Sequence, residues 1–80
     1  MENQEIEDRV KRAVGTVLKI DPQTITTEAN FVFDLGADSM QSVQLVGAFE
    51  EEFDIELEED KALAMQTVGD AVAFVAQHVK

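Results

Sequence analysis

The sequence predicts an all-α fold, a small up-and-down bundle of three main helices with a short helix between the second and the last and a long first loop. Apolar residues recur at helical spacing in three separate segments. No segment alternates apolar and polar residues for long enough to indicate a sheet. The chain has 80 residues, 45% of them hydrophobic, which is enough for one small core. We therefore expect residues 1–80 to form a single domain.

The first helix is predicted over residues 3–19. Its apolar residues recur at helical spacing, and the basic residues Arg9, Lys11 and Arg12 lie off their stripe. The pair Asp21-Pro22 is expected to stop the helix, because the residue before a proline is pushed out of the α region. We interpret this helix as core packing alone, with the inward stripe Ile6, Val10, Ala13, Val14 and Val17.

Residues 20–37 form a long connection. Unstructured loops of this length are uncommon in compact domains, so the segment is expected to bury apolar residues of its own. Gly36, near its end, suits a tight turn because a residue without Cβ can take a positive φ. The predicted anchors in the core are Ile20, Ile25, Phe31, Phe33 and Leu35.

The second helix is predicted over residues 39–53, with Asp38 or Ser39 as its N-cap. One side gathers Leu45, Val46, Phe49 and Phe53, with Ser42 among them, and should face the core. A second side gathers Met40, Val43 and Gly47, flanked by Gln44, Glu50 and Glu51. This mixed face has two open explanations: either its apolar residues pack in the core, or it contacts a partner.

Two further helices complete the predicted bundle. A short one spans residues 58–65, with Leu63 and Met65 inward. The last runs from residue 67 to about residue 79, and Thr67 and Asp70 form a Thr-x-x-Asp capping pattern at its start. Its inward stripe is Val68, Val72, Val75 and Val79.

The net charge of −11 lies entirely in residues 28–60, which hold eleven acids and no Lys or Arg. Such a charge argues against binding to nucleic acid or to anionic membranes. Two explanations stay open. The acids form a solvated face that confers solubility, or they form a docking surface for basic patches on enzymes, where charge speeds encounter and fixes orientation.

Several kinds of chemistry are excluded. The chain has no cysteine, so disulfides and thiolate chemistry are absent. A serine hydrolase would need a base near its serine, but the only histidine is His78, and Gly-x-Ser-x-Gly is absent. No calcium-binding loop or phosphate-cradling glycine loop occurs, so we expect no specific metal site and no enzyme activity. With no membrane span and no signal peptide, a cytoplasmic location is expected.

Asp34-Leu35-Gly36-Ala37-Asp38-Ser39-Met40 is the motif at which the predicted first loop meets the second helix. Ser39 lies where that helix begins, and the free N–H groups and the dipole of a helix N-terminus favour an anion. A phosphate ester on Ser39 would be well placed there. The plainer interpretation is that the serine only caps the helix.

This motif resembles the attachment site of acyl carrier proteins, and the second helix that follows fits the same family. The resemblance implies that Ser39 carries 4′-phosphopantetheine, which a phosphopantetheinyl transferase takes from coenzyme A, and that Asp38 helps the transferase recognise the site. The thiol of this arm would hold acyl groups as thioesters for fatty-acid or related lipid and polyketide biosynthesis.

The resemblance also favours a partner-contact face on the second helix, for synthases and acyl-transferring enzymes with basic patches. Its residues would be Met40, Val43, Gln44, Gly47, Glu50 and Glu51. We expect a monomer in which the carried chain is sheltered by an apolar interior bordered by Val43, Leu45, Val46 and Leu63.

Two alternatives stay open, a peptidyl or D-alanyl carrier and an unmodified acidic interaction domain. Asp38 and the acidity favour acyl cargo, because peptidyl carriers usually have another residue before the serine and fewer acids. The chain also departs from housekeeping fatty-acid carriers. It has Gln41 and Gln44 where they tend to have acids, Gly47 where they have a bulky apolar residue, and Met40 in place of leucine. These departures indicate a specialised carrier.

Overall fold

The computed structural model describes residues 1–79. Within them lie four α-helices: α1 (Asn3–Leu18), α2 (Ser39–Phe53), α3 (Glu59–Ala62) and α4 (Val68–Ala76). A 3₁₀ helix, Pro22–Thr24, interrupts the long first loop. Residues 1–79 contain no β-strand, only an isolated antiparallel bridge between Asn30 and Thr67. The predicted all-α fold is therefore confirmed.

Helix α1 packs against both α2 and α4 and supplies one side of the core. The residues Ile6, Val10, Ala13 and Val14 of its predicted stripe are buried, and Val17 is half-buried. The helix ends one residue earlier than predicted, because Lys19 adopts the left-handed conformation (φ 60°) and its N–H bonds to the Gly15 carbonyl. Proline therefore does not stop the helix.

Gly15 is a position where the fold requires glycine. A Cβ there would lie 2.6 Å from the Ile20 carbonyl oxygen and 2.9 Å from Cγ of Pro22. We expect Gly15→Ala to lower the free energy of unfolding by about 1–3 kcal/mol, since the overpacking outweighs the preference of helices for alanine. The matched control is Gly47→Ala, where, apart from the adjoining residues and backbone of α2, no atom of residues 1–79 lies within 4 Å of the new Cβ. It should raise stability by about 1 kcal/mol.

Urea unfolding of the two variants measures both effects. A Gly15→Ala protein as stable as the native chain would show that the turn after α1 accommodates the new Cβ with no loss in the free energy of unfolding.

The first loop buries apolar residues of its own in the core, but not all of the residues that were predicted to be anchors. Ile25 and Phe31 are buried, while Ile20 and Leu35 are half-buried against the core. The prediction for Phe33 is wrong, because its side chain is 87% exposed. A tight turn places Phe31 inside and sends the next three residues outward. Ala37 is a buried residue that the sequence did not single out.

Helix α2 has the predicted bounds, and Leu45, Val46, Phe49 and Phe53 are buried as expected. The predicted inward position of Ser42 is met only in part, since this residue is half-buried. The end of α2 is tied to α1 by Arg9. Its Nε lies 2.8 Å from an oxygen of Glu52, and its guanidinium stacks 4.7 Å from the centre of the Phe53 ring.

The predicted short helix over residues 58–65 is only four residues long. Leu63 was predicted to face inward, and this is wrong, because the residue is 42% exposed. The chain leaves the helix after Ala62, which is itself buried, so the helical period no longer sets the direction of Leu63. Met65 is half-buried against the core.

Helix α4 begins as predicted. Thr67 Oγ1 accepts a hydrogen bond from the Asp70 N–H at 3.1 Å, and Asp70 Oδ2 accepts from the Gln66 and Thr67 N–H groups at 3.2 Å. These backbone donors favour the charged carboxylate and lower the pKa of Asp70 below its ordinary value.

The predicted end of α4 is three residues too late, because the chain leaves the helix after Ala76 and His78 is an exposed turn residue. Of the predicted stripe, Val68 and Val75 are buried and Val72 and Val79 half-buried. Ala71 also lies in the core. Within residues 1–79, none of the helices has both the length and the apolar character needed to cross a bilayer.

Candidate functional site

The N-terminus of α2 is fixed by a capping box. Asp38 Oδ1 accepts from the Gln41 N–H at 2.8 Å, and Gln41 Oε1 accepts from the Asp38 N–H at 3.2 Å. The Ser42 hydroxyl donates to the Asp38 carbonyl at 3.0 Å. Gly36 precedes this box with a φ of +73°, in the region that favours glycine. Asp38 is therefore the cap of α2.

Ser39 is the first residue of α2, and it is exposed. Its hydroxyl has no hydrogen-bond partner among residues 1–79. The cap is supplied by Asp38, so the serine is not needed for it. An accessible alcohol at the positive end of a helix of 15 residues fits an esterified phosphate.

A cavity of about 280 Å³ lies between α2, the first loop and the segment around α3. Ser42, one helical turn after Ser39, contributes to its wall. The cavity is lined by Asn30, Phe31, Val32, Phe33, Ser42, Leu45, Val46, Phe49, Ala62, Leu63, Met65 and Gln66. An apolar group tethered near Ser39 could enter it.

The sequence predicted only part of this lining. Leu45, Val46 and Leu63 line the cavity as expected. The expectation for Val43 is wrong, because it lies on the other side of Val46, in a groove with Gly47 and Leu57. The wall formed by residues 30–33 was missed. It is placed by the Phe31 N–H, which donates to the Gln66 carbonyl at 2.9 Å, a pairing that the linear sequence does not reveal.

The second face of α2 is largely open. Met40 is 71% exposed and Val43 47% exposed, so packing in the core does not explain these two residues. Gln44, Gly47 and Glu51 are also exposed. Glu50 differs from them, since it is half-buried and one of its oxygens accepts from the Leu57 N–H at 3.0 Å.

Few of the acids around this face are neutralised. Two of those in residues 28–60 form ion pairs within the described chain, Glu52 with Arg9 and Glu58 with Lys61. Histidine, aspartate and glutamate side chains form no group of three suited to a metal ion in residues 1–79. Three of these eleven acids precede α2, and the other eight lie in its last turn and in the segment that follows, so most of the unneutralised charge is at and beyond the C-terminal end of α2.

Comparison with known proteins agrees with this geometry. A family model described as a phosphopantetheine attachment site matches residues 8–75. An acyl carrier protein of Caulobacter vibrioides is 52% identical over 73 residues, covering 91% of this chain and 94% of the relative. One of Phenylobacterium zucineum is 51% identical over 72 residues, covering 90% of this chain and 91% of the relative.

Among solved structures, a provisionally assigned acyl carrier protein of Mycobacterium tuberculosis superposes with a TM-score of 0.83 at 35% identity. The superposition covers 90% of this chain and 96% of that one. Sequence, family model and fold thus agree over nearly the whole chain: it belongs to the acyl carrier proteins and is a carrier of acyl groups that bears 4′-phosphopantetheine as its covalent cofactor.

Proposed function

We propose that Ser39 is the residue that carries the phosphopantetheine arm. The observation that supports this is its exposed hydroxyl, which forms no hydrogen bond with residues 1–79, at the first position of α2. Incubation with coenzyme A, Mg²⁺ and a broad-specificity phosphopantetheinyl transferase tests it. We expect the intact mass to increase by one arm, and peptide mapping to place that arm on Ser39.

The residues around Ser39 have separate tasks in this proposal. The thiol of the arm holds the acyl group as a thioester. Asp38 fixes the start of α2 through its capping box, and it is also a feature that a transferase can recognise. The N-terminal dipole of α2 favours the phosphate, which offsets repulsion from the Asp38 carboxylate. Asp38 therefore acts as a positioning residue.

The cavity beneath the first loop is the proposed shelter for the carried chain. Its inner wall is formed by the buried side chains Leu45, Val46 and Phe49. Each methylene moved from water to such a surface is stabilised by about 0.8 kcal/mol. A chain held there is also protected from hydrolysis of its thioester.

Acyl carrier proteins interact with phosphopantetheinyl transferases and with synthases, and for this chain we propose enzymes with basic patches. The acids of residues 28–60 and the exposed face of α2 around Met40 and Val43 support this. A monomeric single domain, a cytoplasmic location and a role in fatty-acid or related biosynthesis remain predictions. The acyl carrier relatives, at 51–52% identity, favour acyl over peptidyl or D-alanyl cargo.

We further propose that the carrier serves a dedicated set of enzymes, because Gln44 and Gly47 replace the acid and the bulky apolar residue typical of housekeeping carriers. Both positions are exposed. Gln44→Glu/Gly47→Met should raise kcat/KM for acyl transfer by a generic fatty-acid transacylase by about tenfold, as expected if one charge-assisted contact is gained. Gln41 is left unchanged, because its side chain completes the cap of α2.

Gln23→Glu is the matched control for the added charge, since Gln23 is exposed in the first loop and lies outside α2. It should leave the transfer rate unchanged. A native carrier that is already as good a substrate as the double variant would contradict the idea of a dedicated docking face.

A further inference from the structure

Phe33 is an aromatic side chain held at the surface by a rigid turn. It is 87% exposed, although burial of an aromatic ring is among the largest favourable contributions a side chain makes. The Asn30 Oδ1 accepts from the N–H groups of Val32 and Phe33 at 2.9 and 3.0 Å. Asp34 Oδ2 in turn accepts from the Asn30 N–H at 2.7 Å. The backbone is thus fixed while the ring remains in water.

The ring stands at the opening of the cavity. Val32, Phe33 and Leu63 are all exposed apolar residues that line it, and we call them the mouth residues. They come from both sides, two from the first loop and one from the end of α3. An apolar chain that filled the cavity from this side would leave its tethered end between them.

The chemistry of the lining indicates what kind of chain fits. Asn30 Oδ1 accepts from two backbone N–H groups, and the Ser42 hydroxyl donates to the Asp38 carbonyl. These two oxygens are thus committed within the protein, whereas the side-chain amide nitrogen of Asn30 and the side-chain amide of Gln66, which also line the cavity, form no hydrogen bond with residues 1–79. The remaining surface is mainly aliphatic and aromatic. A surface that is mostly apolar favours an aliphatic chain as the occupant.

We propose that Phe33 determines how well the carrier shields its cargo, by folding its ring over the mouth when an aliphatic chain occupies the cavity. The inference rests on the proposed function, because the chain is tethered through Ser39. The ring then covers the carbons next to the thioester and restricts the access of nucleophiles to it. Chains too short to reach the inner wall gain little from entering, so they remain unshielded. Phe33 is accordingly a specificity-determining residue for chains of medium length.

The test is the rate at which hydroxylamine cleaves the thioester at neutral pH, which needs no partner enzyme. The native carrier, Phe33→Ala and Gln23→Ala are each loaded with octanoyl or butyryl groups, and loading is checked by intact mass. In the native carrier the octanoyl thioester should be cleaved more slowly than the butyryl one. Phe33→Ala should speed cleavage of the octanoyl form by about tenfold, the factor expected when two methylene groups lose their apolar contact.

The controls separate this effect from damage to the fold. The butyryl form of Phe33→Ala should react at the native rate, and Gln23→Ala, in the same loop but outside the cavity, should match the native carrier with both chains. Phe33→Leu, which keeps an apolar side chain, should retain most of the protection. Circular dichroism verifies that each variant is folded.

Two outcomes would overturn the proposal. The first is cleavage of the octanoyl thioester at the same rate in the native carrier and in Phe33→Ala. If that variant also transferred acyl groups to an enzyme less well, the ring would be a contact for partner enzymes and not a cover for the cargo. The other is a native carrier that does not protect octanoyl more than butyryl. Failure of the arm to attach at Ser39 would instead overturn the proposed function, and the mass measurement shows this before hydroxylamine is added.

Discussion

Ser39→Ala is expected to abolish attachment of phosphopantetheine altogether, because among residues 1–79 no other exposed hydroxyl lies at the first position of an α-helix. Ser39 is exposed and has no hydrogen-bond partner among residues 1–79. The substitution should not disturb the fold, since Asp38 caps α2 and alanine is the best helix former. The measurement is intact mass after incubation with coenzyme A, Mg²⁺ and the transferase.

Ser42→Ala is the matched control, one helical turn away on the same helix. Its hydroxyl is half-buried and donates to the Asp38 carbonyl, so it is not available to the transferase. This variant should be loaded like the native chain, with stability lowered by about 1 kcal/mol at most. Loading of Ser39→Ala, or loss of loading in a folded Ser42→Ala protein, would contradict the assignment of Ser39.

Phe49→Ala should lower the free energy of unfolding by about 3–5 kcal/mol, the usual cost of removing a buried phenylalanine. Phe49 is fully buried and is one of the largest such side chains in the core. It also forms part of the inner wall of the cavity, so its loss enlarges a space that is already incompletely filled. For a domain of this size the corresponding fall in Tm is at least about 12 °C. Thermal and urea unfolding of the unloaded carrier measure it.

The chain offers a control of the same residue type. Phe33→Ala removes an identical side chain from the surface and should change the stability of the unloaded carrier by less than about 0.5 kcal/mol. A similar loss in both variants would mean that Phe33 packs against the fold in solution. A small loss in Phe49→Ala would mean that the cavity collapses around the missing ring.

Local sequence patterns predicted a helix best where the apolar spacing continues over several turns and the sequence contains a recognisable N-cap residue. The bounds of α2 follow from the capping residue Asp38 and the apolar spacing of Leu45, Val46 and Phe49. The start of α4 follows in the same way from Thr67 and Asp70. Both capping boxes use residues three apart in the chain, so their hydrogen bonds are decided by nearby sequence alone.

Predictions failed where burial depends on residues far apart in the chain. Phe33 and Phe31 are two positions apart in one loop, yet only Phe31 enters the core, because its N–H is paired with the Gln66 carbonyl and the turn after Asn30 sends Phe33 outward. Leu63 fits a helical stripe, but α3 ends before it. A pattern of apolar residues indicates which side chains can be buried. The packing of other segments decides which of them are buried.

The features of the candidate site likewise fall into those that the local sequence predicts and those that depend on tertiary packing. The sequence by itself determined the all-α fold class, the position of Ser39 at the start of α2 and the concentration of acids in residues 28–60, because each depends on residues close together in the chain. Only the tertiary structure decided that Val43 faces away from the cavity and that Phe33 stands at its mouth. The cavity exists only where the first loop, α2 and α3 meet. Its lining is set by long-range packing, and no local period of the chain encodes it.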